Sequence, residues 1–492
     1  MTSLSPSPLL VALLQAADSL AIFLFSLPDG ALADVIDRRR LAILTQVWML
    51  FAALSLGVLT LAGAMTPWML IGLSFVMSIG VAMDAPVWQA IVPEMVPRSE
   101  LPQAVTLAGV SINIARAIAP ALGGLVVAAA GPFAVFLLNA ITFVYVIAVL
   151  VRWRPVRAKT NLPAERLLGA IHRGLRFVRH SPELLAAFFQ SGVSLFGGSC
   201  LLALLPVFAR RELSLQSTGY GLLYGCMGVG AVLSTVLLPK LRAKRSPDAT
   251  LTAAIVGFAV VLLALSLVRS AWLAGGAMFA GGVAWMAMMS SVNVAVQFAT
   301  PSWVRARVLS VYMIVFQGAI ALGSVVWGTL AQRSGLRLAL VAGGATMVAG
   351  SLAGRTWFRL SARVPDFTPS LHWPKPALVC EPAGEDGPVL VTVEFRVPPQ
   401  NVEPFIAAAN RLQRLRRRNG AYQWQLFRDP SAPDRFVETY MVDSWADHLR
   451  QHDRVTVEER DAESSLGALV VAGTEPVVKH MIAVQPGAAS QT

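Results

Sequence analysis

Three ionisable residues stand inside long apolar runs of this chain: Asp18, Asp84 and Arg116. Moving a charge into hydrocarbon is costly, so an acid or guanidinium kept there is a candidate for carrying a proton or holding a charged solute. Asp18 falls about ten residues into its run and Arg116 about fifteen into its own, which at about 1.5 Å per residue puts both near mid-membrane. Asp84 lies nearer the inner side. In one reading Asp18 or Asp84 carries a coupling proton and Arg116 modulates it; in the other Arg116 and an acid form a static buried pair. A second constellation is the loop Gly30-Ala-Leu-Ala-Asp34-Val-Ile-Asp-Arg38-Arg39-Arg40. Its glycine lets two helix ends approach, and Asp34 can bind a helix N-terminus. A third is Arg116-Ala-Ile-Ala-Pro120-Ala-Leu-Gly123-Gly124, where a proline bends a helix and paired glycines expose backbone for close packing.

The remaining candidates are weaker. Cys200, Cys226 and Cys380 have no metal or redox spacing and read as apolar fillers. His448 and His452 are spaced i, i+4, which suits a metal, but no third ligand is in view and no metal is assigned. The Met- and Trp-rich stretch Trp285–Met289 suits either an adaptable cavity wall or packing. No nucleophile–base pair or cofactor motif is present, so no catalytic residue and no cofactor are assigned.

The elements that must position these residues are membrane spans. Of 492 residues, 55% are hydrophobic and 14% charged, against about 25% charged in a soluble domain. Mean hydropathy is +0.61. Runs of about 20 apolar residues cross a bilayer. Eleven are predicted, at 8–31, 41–63, 67–92, 101–130, 131–153, 184–209, 215–239, 249–269, 271–298, 305–332 and 335–357. With the Arg38 loop inside, the inner loops carry 18 Lys and Arg against 5 outside. That asymmetry puts residue 1 outside and the C-terminus in the cytoplasm. Residues 1–386 hold 28 basic against 15 acidic residues, while the remainder holds 12 against 13. The excess of basic charge therefore reports topology, and nucleic acid is not an expected partner. Without a basic segment ahead of its first apolar run, the N-terminus does not read as a signal peptide.

An internal shift of about 204 residues lays Pro97 on Pro301, Asn113 on Gln317 and Gly124 on Gly328, as two parallel repeats do. The expected organisation is a membrane half over 1–153, an amphipathic surface linker over 154–183, a second half over 184–359 and a Pro-rich linker over 360–386. An α+β domain over 387–485 and a tail over 486–492 follow. In the α+β domain, Val391, Val393, Phe395 and Val397 alternate with polar residues as a strand. Asn401 can cap a helix that stops at Asn419-Gly420, and Ser444-Trp-Ala-Asp447 reads as a capping box. The order β-α-β-β-α-β predicts a ferredoxin-like module.

The Gly30–Arg40 loop resembles the signature loop of the major facilitator superfamily. Ala119-Pro-x-x-Gly-Gly124 is similar to the Gly-Pro-x-x-Gly-Gly element on the fifth helix of its antiporters, with Ala119 in place of the first glycine. With its C-terminal domain, the chain resembles the branch of transmembrane secretion effectors that includes enterobactin exporters. The resemblance implies an all-α polytopic facilitator fold with two pseudo-symmetric halves, joined to a small cytoplasmic α+β domain of the antibiotic-biosynthesis monooxygenase type. It implies proton-driven efflux of a siderophore or drug-like molecule across the bacterial inner membrane. The implied partners are the bilayer, a small molecule, protons and a second copy bound through the C-terminal domain. It also implies a gating latch in which Glu94 pairs with Arg38 or Arg39, and Asp34 with the span starting near Arg305. In the family the loop follows the second helix and the kink lies on the fifth. Here they follow the first and lie on the fourth, so a helix is expected to be missing before residue 8. The competing expectations are a membrane-anchored sensor or enzyme working through the C-terminal domain, and a truncated product inactive in transport.

Overall fold

The computed structural model describes residues 1–96, 122–153, 174–242, 246–357, 366–374 and 382–484, apart from a few positions within them, and isolated positions between 97 and 121. The chain divides into two compact units. One comprises Met1–Leu167, Ala186–Ala295 and Leu309–Ala362, and the other Leu168–Leu185, Val296–Val308 and Arg363–Thr492.

The first unit is built from α1 (Pro8–Val35), α2 (Arg38–Leu61), α3 (Pro67–Met95), α4 (Pro132–Arg152), α5 (Pro182–Arg211), α6 (Ser217–Arg242), α7 (Pro247–Leu267), α8 (Ala271–Phe298), α9 (Arg305–Ser334) and α10 (Leu336–Trp357). The start of α5, the end of α8 and the start of α9 belong to the second unit. All ten are long and apolar enough to cross a bilayer. The expected span at 101–130 is helical over 122–130, and most of its remainder lies outside the described residues. Helix starts follow local chemistry. Thr66 and Ser246 accept hydrogen bonds from the amides of Met69 and Ala249, each just ahead of a proline. Gly131, at φ 88°, makes the left-handed turn before Pro132 that an L side chain resists.

Packing reflects the repeat. In the first half α2 packs on α4, and in the second α7 packs on α10; α4 begins 204 residues before α10. Where helices touch most closely, small residues allow it. A Cβ on Gly230 would overlap the Phe279 carbonyl and one on Gly282 the Met227 carbonyl, so α6 and α8 meet backbone to backbone. Large apolar side chains such as Phe51, Ile141, Leu267 and Trp272 are exposed, an outer surface that lipid would cover.

In the second unit, β1 (Val389–Arg396), α11 (Val402–Arg418), β2 (Tyr422–Asp429), β3 (Ala432–Val442), α12 (Trp445–Arg454), α13 (Val457–Gly467) and β4 (Val477–Ile482) form a small α+β domain. Its antiparallel sheet has the order β2-β3-β1-β4. Val391, Val393 and Phe395 of β1 meet Phe405 and Leu412 of α11, with Trp445 of α12 completing the core. The second expected helix is two, α12 and α13. Two local expectations change. The Asn401 side chain does not cap α11; its Nδ2 donates to the Leu469 carbonyl at 3.0 Å. Ser444 does cap α12, but Asp447 turns to Arg450 at 2.8 Å. The full capping box is formed instead by Thr456 and Glu459 at the start of α13.

Candidate functional site

Two acids of the membrane helices, Asp18 and Asp84, each have polar partners on a neighbouring helix. Asp18, half-buried on α1, accepts a hydrogen bond from Ser78 Oγ of α3 at 2.9 Å. It lines a cavity of about 800 Å³ bounded by α1, the helical stretch 122–130, α5 and α6. Gln15 stands one turn before Asp18, and Tyr220 faces the cavity from the other half of the repeat. Pro206, inside α5, also lines it; a proline there frees a backbone carbonyl on that wall. The volume is that of a pocket for a drug-sized molecule, about 300–1,000 Å³.

Asp84, the second acid, lies on α3. Thr45 Oγ1 donates to its Oδ1 at 3.0 Å and Gln46 Nε2 to its Oδ2 at 3.1 Å, both from α2. The two carboxylates therefore have separate environments, and α3 is bonded through one to α1 and through the other to α2. Sequence reading singled out both acids but not Ser78, Thr45, Gln46 or Tyr220, because serine, threonine and glutamine along an apolar helix carry no sign of which acid they will face.

The expected loop at Gly30–Arg40 is shorter than the sequence suggested. Gly30 and Asp34 lie within α1, which continues through Val35, and Arg38 opens α2. Ala31, Leu32 and Ala33 are strong helix formers, and their propensity carries α1 through the glycine. Arg39 donates through Nε to the Leu150 carbonyl at 2.8 Å and through a terminal nitrogen to that of Val151. A guanidinium there caps the C-terminal carbonyls of α4, where the helix dipole favours positive charge. The side chains of Asp34, Arg38 and Glu94 lie outside the described residues, as do Arg116 and Pro120.

Gly123 and Gly124 separate sharply. A Cβ on Gly124 would lie 2.9 Å from the Ser217 carbonyl and 3.3 Å from Gly221 Cα, whereas one on Gly123 would meet nothing within 4 Å. Gly124 is thus a contact between the first half and α6 of the second. Gly318 and Gly328 of α9 similarly receive Phe23 and Ala12 of α1, and Ser7 Oγ bonds Gln332 at 3.0 Å.

The second unit joins the C-terminal domain to the segments flanking α5 and α9. Arg176 donates to the Gly420 carbonyl at 2.6 Å. The Arg418 guanidinium lies between the rings of Phe177 and Phe367, 5.6 and 5.2 Å from their centroids, and pairs with Glu458 at 2.8 Å. Arg454, closing α12, lies 4.3 Å over the Trp303 ring. Within the domain Arg416 bridges Glu438 and Glu463 at 3.4 and 2.7 Å. Burial would raise the Glu463 carboxyl, but the Arg416 charge and bonds from His372 and Trp373 outweigh it and hold it down at about 2.

Paired repeats of membrane helices around a cavity that carries a half-buried carboxylate define a membrane transporter of the facilitator fold. The chain matches the family described as transmembrane secretion effector over residues 1–487 and belongs to it. It is 26% identical over 366 residues to the uncharacterized MFS-type transporter YfiS of Bacillus subtilis, covering 70% of this chain and 84% of that one. It is 30% identical over 224 residues to the staphyloferrin A transporter of Staphylococcus aureus, covering 45% of this chain and 55% of that one. Among solved structures, a bacterial homologue of the lysosomal transporter Spinster aligns with TM-score 0.59 at 15% identity, over 72% of this chain and 91% of that one. A bacterial homologue of the iron transporter ferroportin aligns with TM-score 0.57 at 17% identity, over 73% and 92%. These two likenesses concern the fold. The protein is a multi-pass membrane transporter and not an enzyme.

Proposed function

We propose that this transporter exports a small organic molecule, siderophore or drug-like, across the bacterial inner membrane by alternating access, driven by inward proton flow. The observation that carries the reading is Asp18: a membrane carboxylate, held by a neutral hydroxyl, on the wall of a cavity of about 800 Å³ shared by the two halves. Such a group can take and release a proton without breaking an ion pair, and its change of charge falls where a solute would sit. Asp84, held by Thr45 and Gln46, is the second candidate. The export direction rests on the Pro120–Gly124 element, and Gly124 at the contact between halves supports a role for it in their movement. The relative described as a staphyloferrin A transporter supports the siderophore class.

In this reading residue 1 faces outward and the C-terminal domain faces the cytoplasm. Arg39, Arg176 and Arg305 fall on the basic side, and Arg176 binds Gly420 of that domain. In the inner gating latch, the Gly30–Arg40 segment with Asp34 meets Glu94 through Arg38 or Arg39. The C-terminal domain pairs two copies.

The test is transport in everted membrane vesicles, with uptake of a siderophore and of a lipophilic cationic dye followed while the proton gradient is imposed or collapsed. Gradient-dependent uptake that disappears in Asp18→Asn is the expected result. Uptake unchanged in both Asp18→Asn and Asp84→Asn would end the coupling role of these acids.

A further inference from the structure

We propose that the C-terminal domain holds one divalent late first-row transition-metal ion, zinc fitting best, between the imidazoles of His448, His452 and His480. His448 and His452 stand one turn apart on α12, and His480 reaches them from β4, the edge strand beside β1. One ring nitrogen from each of the three lies within 4.8 Å of the others. The Nε2 atoms of His448 and His452 are 3.3 Å apart. Two nitrogens each about 2.1 Å from a tetrahedral ion are separated by about 3.4 Å. The ring centroids of His448 lie 4.6 Å from His480 and 4.9 Å from His452, so small rotations close the third bond.

The surroundings of the three rings also fit a metal. Aromatic walls fix the rings: Trp445 lies 5.3 Å from His448 and 6.1 Å from His480, and Trp373 lies 5.1 Å from His452. Such a shell holds ligands in place and excludes competing water. Three nitrogens leave a fourth tetrahedral position for water or a small ligand. His452 and His480 are only half-buried, which gives an ion a way in.

A bound ion ties α12 to β4. Arg454 at the end of α12 lies over Trp303 in the segment before α9. Occupancy therefore stiffens the helix that the C-terminal domain presents to that segment. This inference stands apart from the export reading, and its failure leaves that reading intact.

The test uses the untagged full-length chain in detergent, stripped of metal, titrated with Zn2+ against a chromophoric chelator and with Co2+ by visible absorption. One ion per chain is expected, with a Co2+ spectrum of tetrahedral intensity. Weakening on the order of a hundredfold is expected in His480→Gln and in His452→Gln, with near-ultraviolet circular dichroism unchanged. His180→Gln, outside the cluster, is expected to bind as the parent does. No binding by the parent chain would overturn the proposal. So would unchanged affinity in His480→Gln, or equal loss in His180→Gln.

Discussion

Two carboxylates of the membrane unit and three of the C-terminal domain are held in opposite ways. In the membrane unit Asp18 accepts from the Ser78 hydroxyl, and Asp84 from the Thr45 hydroxyl and the Gln46 amide. In the C-terminal domain Glu438 and Glu463 face Arg416, and Glu458 faces Arg418. A neutral donor stabilises a carboxylate without cancelling its charge; a guanidinium cancels the charge and locks the ionised form. The first arrangement suits a group whose protonation changes in a transport cycle. The second suits a scaffold, where breaking a buried pair by removing one partner costs about 3–5 kcal/mol.

The largest expected effect breaks this comparison at its membrane end. Asp18→Asn keeps the shape and can still accept from Ser78, so the fold should survive while gradient-driven transport falls to background in vesicles. Retained transport would place Asp18 with the scaffold carboxylates. Next comes Gly124→Leu against Gly123→Leu. The first drives a side chain into the Ser217 carbonyl and should cost several kcal/mol, lowering both yield and melting temperature; the second meets open space and should leave both near the parent values. Equal effects would show that the contact between halves at Gly124 is not closely packed.

At the other end of the comparison, Glu463→Gln tests the locked carboxylate. With its native pKa at about 2, below the usual 4.5, Glu463 contributes stability that is complete above about pH 4.5 and is lost as pH falls towards 2. The contribution is on the order of 3 kcal/mol. Thermal melts of the full chain between pH 5 and 2 should show the parent losing stability faster than the variant; parallel curves would refute the assignment. The smallest effect expected is in Arg454→Gln, which removes one cation–π contact with Trp303, about 1 kcal/mol. Hydrogen exchange in 296–308 should rise while the core of the C-terminal domain, around Phe405, stays protected.

Much of this was legible beforehand, because the signals were periodic or costly. Apolar runs must cross a bilayer, and a buried acid stands out against them, so the spans and Asp18 and Asp84 could be named from their surroundings alone. β1 could be read from its alternation, since one face of a sheet is buried. The Asn401 cap misled because a short polar side chain has several partners within reach, and the carbonyl it bonds, that of Leu469, comes from 68 residues away. The third histidine was missed for a related reason. His448 and His452 share a helix turn, but His480 joins them through the pairing of β4 with β1, a register that no local spacing announces.

By itself, the sequence determined that this is a membrane protein of two repeated halves with a separate α+β domain. Those features follow from hydropathy, period and composition, which are properties of neighbours along the chain. Only the tertiary structure decided which hydroxyl faces which acid. It also decided which of two adjacent glycines touches the other half, and that three histidines from a helix and an edge strand converge. Those are relations between distant segments, set by how helices and strands pack, and each turns on an ångström or two that no linear pattern encodes.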